Sequence, residues 1–348
     1  MGVMAVPPPS TDWREAVAAD EAERFERHAE MLHQLQRRND ARGKGRALHR
    51  KALLGARATL EVLGELPAEV RVGLFAAPGV HRAYVRFSNG AAARSSDRRP
   101  DVRGLAVKVL GVPGKKIIPG LEDATTQDFL FIQMSSLAFR DTEEFMAFVR
   151  AIANPLLALP RLLRAFGFRL FALLGRLRAA LATGRSTLAG VRFYTALPIR
   201  MGEHAGKLSL IPSDPVAAVS SAAAAAGPDA LADDLAARLA AGPLRYDLAV
   251  QLYRNDRDTP IEDASVEWKD DVAPWIKVGR LTIDRQDTRG AGGRKVAEYV
   301  ERLSFDPWHA LVEHRPLGDI MRARNVAYRV STKERGAAPE PDGTETFE

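Results

Sequence analysis

The stretch His81-Arg82-Ala83-Tyr84-Val85-Arg86-Phe87-Ser88-Asn89 alternates apolar and polar side chains, the pattern of a strand with two unlike faces. Residues two apart on a strand share a face, so Arg86 and Ser88 point the same way. Short apolar runs separated by turn signals lie on both sides of it, at 58–63, 72–75, 105–109 and 129–132. Further strand-like segments follow at 191–197, 207–211, 248–253 and 275–283. Helical spacing of Phe25, Ala29, Leu32 and Leu35 predicts an amphipathic helix over 13–38. Residues 142–152 also read as helix, with Thr142 placed to cap it and Glu143 and Glu144 in its first turn. The alanine-rich piece 219–241 reads as helix interrupted at Gly227-Pro228, and part of 308–328 is helical.

Composition narrows the classes of function. The chain has 348 residues, 46% hydrophobic and 27% charged, an ordinary globular balance that excludes a disordered, collagenous or coiled-coil protein. It has no cysteine, which removes disulfides, thiolate metal sites, cysteine nucleophiles and iron–sulfur clusters. The net charge of +6 suits an anionic ligand or membrane surface. The basic residues are spread along the chain and not interleaved with aromatics, so no nucleic-acid partner is expected. Residues 1–6 are too short an apolar run for a secretory signal, and Pro7-Pro8-Pro9 follow at once; the expectation is a cytoplasmic protein. Residues 1–13 read as a disordered arm, 14–335 as one domain and the polar stretch 336–348 as a disordered tail.

Residues 155–182 stand out. On one continuous helix Leu162, Leu163, Phe166, Leu170, Leu173, Leu174 and Leu177 form one face. Arg161, Arg164 and Arg178 lie opposite, Arg169 and Arg176 border the stripe, and no acidic residue is present. Arginines interrupt the run too often for a transmembrane span. The segment reads as a basic amphipathic helix that either lies on an anionic membrane, making peripheral contact with its inner face, or packs on the domain with a solvated arginine face.

Few residues suggest chemistry by themselves. The seven histidines show no zinc spacing on a helix, and the chain lacks GxSxG, P-loop and GxGxxG motifs. Arg324 and Tyr328 lie four apart, which on a helix sets a guanidinium beside a phenol. A cation so placed favours a phenolate, a ligand able to hold ferric haem iron. By itself the pair equally suits an ordinary surface helix.

Taken in order, several short motifs resemble the catalase family over about residues 46–335. Arg46-Ala47-Leu48-His49 is similar to the family's RxxH element, and Val85-Arg86-Phe87-Ser88-Asn89 to its VRFST strand. Asp101-Val102-Arg103-Gly104-Leu105-Ala106-Val107-Lys108 resembles DxRGFAxK, the most specific of the matches. Thr126-Gln127-Asp128-Phe129-Leu130-Phe131-Ile132 falls where the family has NTPVFFI, and Phe139 falls near an aromatic that stacks on the haem. Phe305-Asp306-Pro307 is similar to the FxP segment before the proximal helix, Arg324 to Tyr328 matches RxxxY, and Arg335 has the spacing of a later haem-contacting arginine.

The resemblance implies an α+β fold, an antiparallel β-barrel core with surrounding helices, holding haem b. It implies Tyr328 as axial iron ligand kept ionised by Arg324, and His49 as distal acid–base group with Ser88 fixing its other ring nitrogen. It implies Arg46, Arg86 and Arg335 as partners of the haem propionates, and Phe139 on the haem face. One departure is plain: Thr126 stands where the family carries a distal asparagine, and there is no Asn between Asn89 and Asn154. The short chain and this loss resemble minimal catalase-related haem proteins, which include peroxidases and enzymes that rearrange fatty-acid hydroperoxides. The implied activity is therefore a haem-dependent peroxidase acting on hydrogen peroxide or an organic hydroperoxide with a small organic electron donor. Weak catalase activity and a non-catalytic haem- or lipid-binding role are the alternatives, and a homo-oligomer is compatible with all of them.

Overall fold

The computed structural model describes residues 6–40, 45–152, 155–182, 187–214 and 227–347. Its centre is a sheet of nine antiparallel strands: β1 Lys51–Val62, β2 Gly79–Asn89, β3 Arg103–Leu110, β4 Thr126–Ile132, β5 Phe193–Tyr194, β6 Ile199–Met201, β7 His204–Pro212, β8 Leu244–Leu252 and β9 Trp275–Ile283. Neighbours run in the order β5-β4-β3-β2-β1-β9-β8-β7-β6, and β5 also pairs with β7. That extra pairing closes an eight-stranded barrel, with β6 attached to β7 outside the ring. The free side of β6 is in turn met by 313–317, with Arg200 N–H donating to the Arg315 carbonyl at 2.7 Å and Leu317 N–H to the Pro198 carbonyl at 3.0 Å, so ring closure and this cover remove the hazard of open sheet edges.

The alternation of β2 decides which side is core. Ala83, Val85 and Phe87 point inward, where they meet Leu105, Val107 and Val109 of β3 and Phe129 and Phe131 of β4. The opposite set lies on the outer wall of the barrel: Tyr84, Arg86 and Ser88 of β2, Gly104, Ala106 and Lys108 of β3, and Asp128, Leu130 and Ile132 of β4. This outer wall carries the chemistry described below.

Helices surround the barrel: α1 Glu21–Asp40, α2 Thr142–Ile152, α3 Pro155–Phe166, α4 Arg169–Ala182, α5 Ala230–Ala241, α6 Ala291–Arg302 and α7 Asp319–Arg335. The first helix starts later than its apolar spacing suggests, because 13–20 is tied down in non-helical form; Trp13 Nε1 donates to the Glu203 carbonyl at 2.8 Å and Ala16 N–H to Glu262 at 2.9 Å. Asp141, not Thr142, caps α2, accepting from the Glu144 N–H at 2.9 Å. Thr142 is drawn instead to Asp319 of α7, to which its N–H donates at 2.6 Å. Residues 215–226 of the expected alanine-rich helix lie outside the described residues, and α5 begins after Gly227-Pro228.

Three expectations are corrected. Residues 6–13 of the arm are packed, with Ser10 N–H donating to the Tyr253 carbonyl at 3.0 Å and Trp13 against the cluster of Tyr253, Ile261 and Trp268. The tail is ordered through 347: Ala338 N–H bonds the Arg302 carbonyl at 2.9 Å, and Phe347 packs edge-on to Tyr84 and Tyr299. The tail is held because the outer wall of β2 and β3 offers apolar and charged partners that its composition does not reveal. The segment 155–182 is two helices, broken at Gly167 (φ +52°), a left-handed conformation that glycine adopts without steric cost.

Candidate active site

His49 lies just ahead of β1 in a left-handed conformation, φ +52°. Such a backbone persists in a non-glycine residue only where its surroundings hold it. Here the His49 N–H donates to the Gly90 carbonyl at 3.0 Å, and its own carbonyl accepts from Arg86 Nη2 at 3.0 Å. The ring then falls on the outer wall, with Nδ1 3.0 Å from Ser88 Oγ. Gly104 lies directly beneath: a Cβ there would sit 2.7 Å from both Nδ1 and Cε1 of His49. The glycine of the Arg103-Gly104-Leu105 stretch thus makes room for an imidazole. Burial, followed by the charges of Arg86, Arg324 and Arg46, pushes the His49 pKa down to about 3. The imidazole is neutral at ordinary pH and can accept a proton.

On α7, Arg324 Nη2 donates to Tyr328 Oη at 2.7 Å, and the guanidinium carbon lies 5.0 Å from the phenol ring centre. The start of the helix packs on the core cluster of the barrel through Ile320 and Met321, and its other side is held by ion pairs. Arg322 grips Glu15, Glu21 and Glu262 at 2.6–2.9 Å, and Glu334 faces His33 and Arg37 of α1 at 3.4 Å. Met321 is its one fully buried side chain among the described residues. The wall that it faces carries Ala106, Leu130 and Ile132, all partly exposed, beside Gly104. From Gly104 to Lys108 this wall runs about 13 Å at the rise of a strand. The charge of Arg324 acts on His49, which sets the Arg324–Tyr328 pair near the His49–Ser88 pair, and the space between α7 and this wall is the candidate slot.

One rim of the slot is strongly positive. Arg46 Nη1 and Arg86 Nε both reach the Glu301 carboxylate at 2.7 Å. Arg46 Nη2 and Arg335 Nη2 donate to the Leu303 carbonyl at 2.8 and 2.7 Å. Burial, aided by Arg86, lowers Arg335 to about 10, with Glu301 opposing the shift. Burial works against the Glu301 charge, but Arg86 and Arg46 hold its carboxyl below the usual range. Three guanidinium groups against one carboxylate leave two positive charges to be met by anions.

At the other end of the wall, Lys108 is fully buried between Asp128 at 2.7 Å and Glu340 of the tail at 2.6 Å. Thr126 belongs here. Its Oγ donates to Glu340 at 2.8 Å and lies 2.8 Å from His309 Nε2. Gly104 pairs with Ile132 and Leu110 with Thr126, so six residues at about 3.3 Å set Thr126 about 20 Å along the ladder from the His49 end. The structure therefore separates Thr126 from His49. Gln127 is no substitute, since its Oε1 accepts from the Leu311 N–H at 3.3 Å. Phe139 is also away from the slot; it packs on Phe145 and Phe148 under α3 and α4, as an ordinary core aromatic. Seven of the expected site residues do converge: Arg46, His49, Arg86, Ser88, Arg324, Tyr328 and Arg335.

The reading from motifs missed Glu301 and Glu340. A signal for Glu301 existed: three arginines aimed at one place need an acid among them, and Glu301 closes α6 four residues before Phe305. Glu340 had no such signal, because nothing in the tail's composition shows what it packs against. The DVRG arginine, Arg103, is structural. It is buried, donating to Asn89 and to the carbonyls of Asp97 at 2.7 Å and Arg99 at 2.9 Å, and so fastens the β2–β3 connection.

A barrel whose outer wall opposes a tyrosine-bearing helix, with an imidazole at the wall, defines the catalase class of architecture. Superposition agrees: a fungal catalase matches over 96% of this chain with a TM-score of 0.66 and 17% identity, and a bacterial catalase over 96% with 0.63 and 18%. The chain spans 66% and 64% of the lengths of those two proteins. In sequence it is 29% identical to the catalase-related peroxidase of Mycolicibacterium paratuberculosis, over 74% of this chain and 81% of that protein. No family model matches the sequence. The fold of the chain is that of the catalases.

Proposed function

We propose that this chain is a haem-dependent peroxidase that cleaves the O–O bond of hydrogen peroxide or an organic hydroperoxide. One juxtaposition supports the reading: the Arg324–Tyr328 pair at 2.7 Å lies near enough to the Ser88–His49 pair at 3.0 Å for the Arg324 charge to act on His49. The donor set fits haem b on three counts. A phenol oxygen beside a guanidinium suits ferric iron. A rim two positive charges in excess suits two propionates, for which guanidinium forks are matched. A flat wall of Ala106, Leu130 and Ile132 suits an apolar ring. Bound there, haem supplies an iron centre that accepts oxygen and passes oxidising equivalents to a small organic donor.

The protein's share of the chemistry is proton transfer. Ser88 holds Nδ1 of His49, so Nε2 is the nitrogen that receives the proton of the incoming hydroperoxide and delivers it to the leaving oxygen. Arginine charges and burial keep the ring neutral until that proton arrives. No amide from the start of β4 reaches His49, and a single base suffices for heterolysis of a hydroperoxide. This supports peroxidase chemistry over rapid dismutation, and the relative in M. paratuberculosis carries the name catalase-related peroxidase.

The test is reconstitution with haem, followed by absorption. The wild type should give the charge-transfer bands of a high-spin ferric phenolate complex. Tyr328→Phe should lose haem or those bands, and an unchanged spectrum would refute the ligand assignment.

A further inference from the structure

We propose that the α3–α4 hairpin is a docking surface for an anionic phospholipid bilayer. The proposal does not rest on haem or on peroxide chemistry.

The inner face of the hairpin is already filled. Leu162, Phe166, Leu170 and Leu173 are buried against Phe139, Phe145 and Phe148. Its outer face nonetheless carries a second apolar set. Phe168 is 94% exposed, Leu156 90%, Phe171 71% and Leu159 62%, with Leu163 and Leu174 also exposed. The other large apolar side chains exposed among the described residues, such as Val17, Val80 and Val312, are scattered along the chain, as on any soluble surface. Contiguous exposed leucine and phenylalanine on two adjoining helices mark an interaction face.

Charge selects the occupant. Residues 155–182 contain five arginines and no acidic residue. Arg169 pairs with Glu144 at 2.7 Å. Arg164, Arg176 and Arg178 are exposed, with no acidic partner among the described residues. A crevice of about 590 Å³ between α1, α2 and α3 adds three more arginines, being lined by Arg38, Arg150 and Arg161 with Met31 and Ala147. Apolar side chains that enter the acyl boundary, with arginines at headgroup level, are the composition of an interfacial helix. None of the described helices is long and apolar enough to cross a membrane, so the hairpin lies in the interface. Phe168 follows Gly167 in the break between the two helices and stands almost wholly in solvent.

The experiment is flotation of the full chain with vesicles of phosphatidylcholine alone or with one third phosphatidylglycerol. Binding is expected on the anionic vesicles, weakening as salt rises. Replacing Arg164, Arg176 and Arg178 together by Gln should weaken it on the order of 100-fold, at about fivefold per arginine. Replacing Leu156, Phe168 and Phe171 by Ser should abolish it with the melting temperature unchanged. Phe168→Trp, which preserves the apolar surface, should show a blue-shifted emission quenched by brominated lipid. The proposal is overturned if anionic vesicles fail to float the wild type at low salt, or if both compositions bind it equally. It is also overturned if the serine variant floats as well as wild type, or if vesicles leave the emission of the Phe168→Trp variant unchanged. Self-association of the wild type in light scattering, lost in the serine variant without any vesicle binding, would assign the face to a second copy of the chain instead.

Discussion

The rim around Glu301 and the α3–α4 hairpin are both rich in arginine, and they treat it oppositely. Around Glu301 the guanidinium groups are drawn in from solvent and hydrogen-bonded to a carboxylate and to helix-end carbonyls, and burial with neighbouring charge lowers Arg46 and Arg335. On the hairpin they stand in solvent among exposed leucine and phenylalanine. Crowded, oriented cations in a low-dielectric slot give geometry and specificity toward one anionic group. Solvated cations on a greasy surface give adhesion that tolerates many arrangements. The same residue type serves recognition in one place and attraction in the other, and burial makes the difference.

Substitutions can break this contrast. The largest effect is expected at His49: His49→Ala should keep the fold and slow the reaction with hydroperoxide on the order of 10²–10⁴-fold in stopped flow. A rate within a few-fold of wild type would remove the imidazole from the mechanism. Next is Glu301→Gln, which leaves Arg46 and Arg86 without their carboxylate, with Arg335 nearby. Because Glu301 is about one third exposed, the loss in the haem-free protein should be about 1–3 kcal/mol by denaturant titration, below that for a fully buried pair. Added haem should narrow the gap from wild type, since propionates would supply the missing charge; a gap that haem leaves unchanged would separate Glu301 from the haem site.

Gly104→Ala should follow. The new methyl meets the His49 ring and Ser88 Oγ, at 2.7 and 3.1 Å, so a cost of about 1–3 kcal/mol is expected, together with slower peroxide reaction as the ring is displaced. Undiminished rates would show that the ring has room to give. The smallest effect is expected from acid. With a His49 pKa of about 3, the neutral imidazole persists as pH falls through 6.5, where an ordinary histidine protonates. The rate of hydroperoxide attack should stay level from pH 8 to about 4 in pH-jump measurements and drop only below that. A midpoint near 6.5 would mean that the arginines and burial do not act on His49.

The site was legible in unequal parts. Arg86 and Ser88 could be placed on one face from alternation alone, and Arg324 and Tyr328 on one helical turn from spacing alone. His49 was found only through its RxxH setting, since nothing local announces a left-handed backbone at that position. Thr126 and Phe139 went astray for a common reason. Nearness in a motif does not say how far along a ladder, or on which side of a loop, a residue ends up. Six residues of β4 carry Thr126 out of reach of His49, and the loop after Ile132 turns Phe139 into the core beneath α3.

Periodicity was enough to establish strand faces and helix turns, because these depend on neighbours a few residues apart; the barrel class and the roles of the site residues came only from the resemblance. Long-range assembly alone could close the ring through β5 and β7, bring Glu301 among three arginines from distant segments, lay the tail along the outer wall and leave one face of a hairpin bare. Those outcomes turn on which surfaces find one another when the chain compacts, and burial of that kind is set by partners that no local stretch contains.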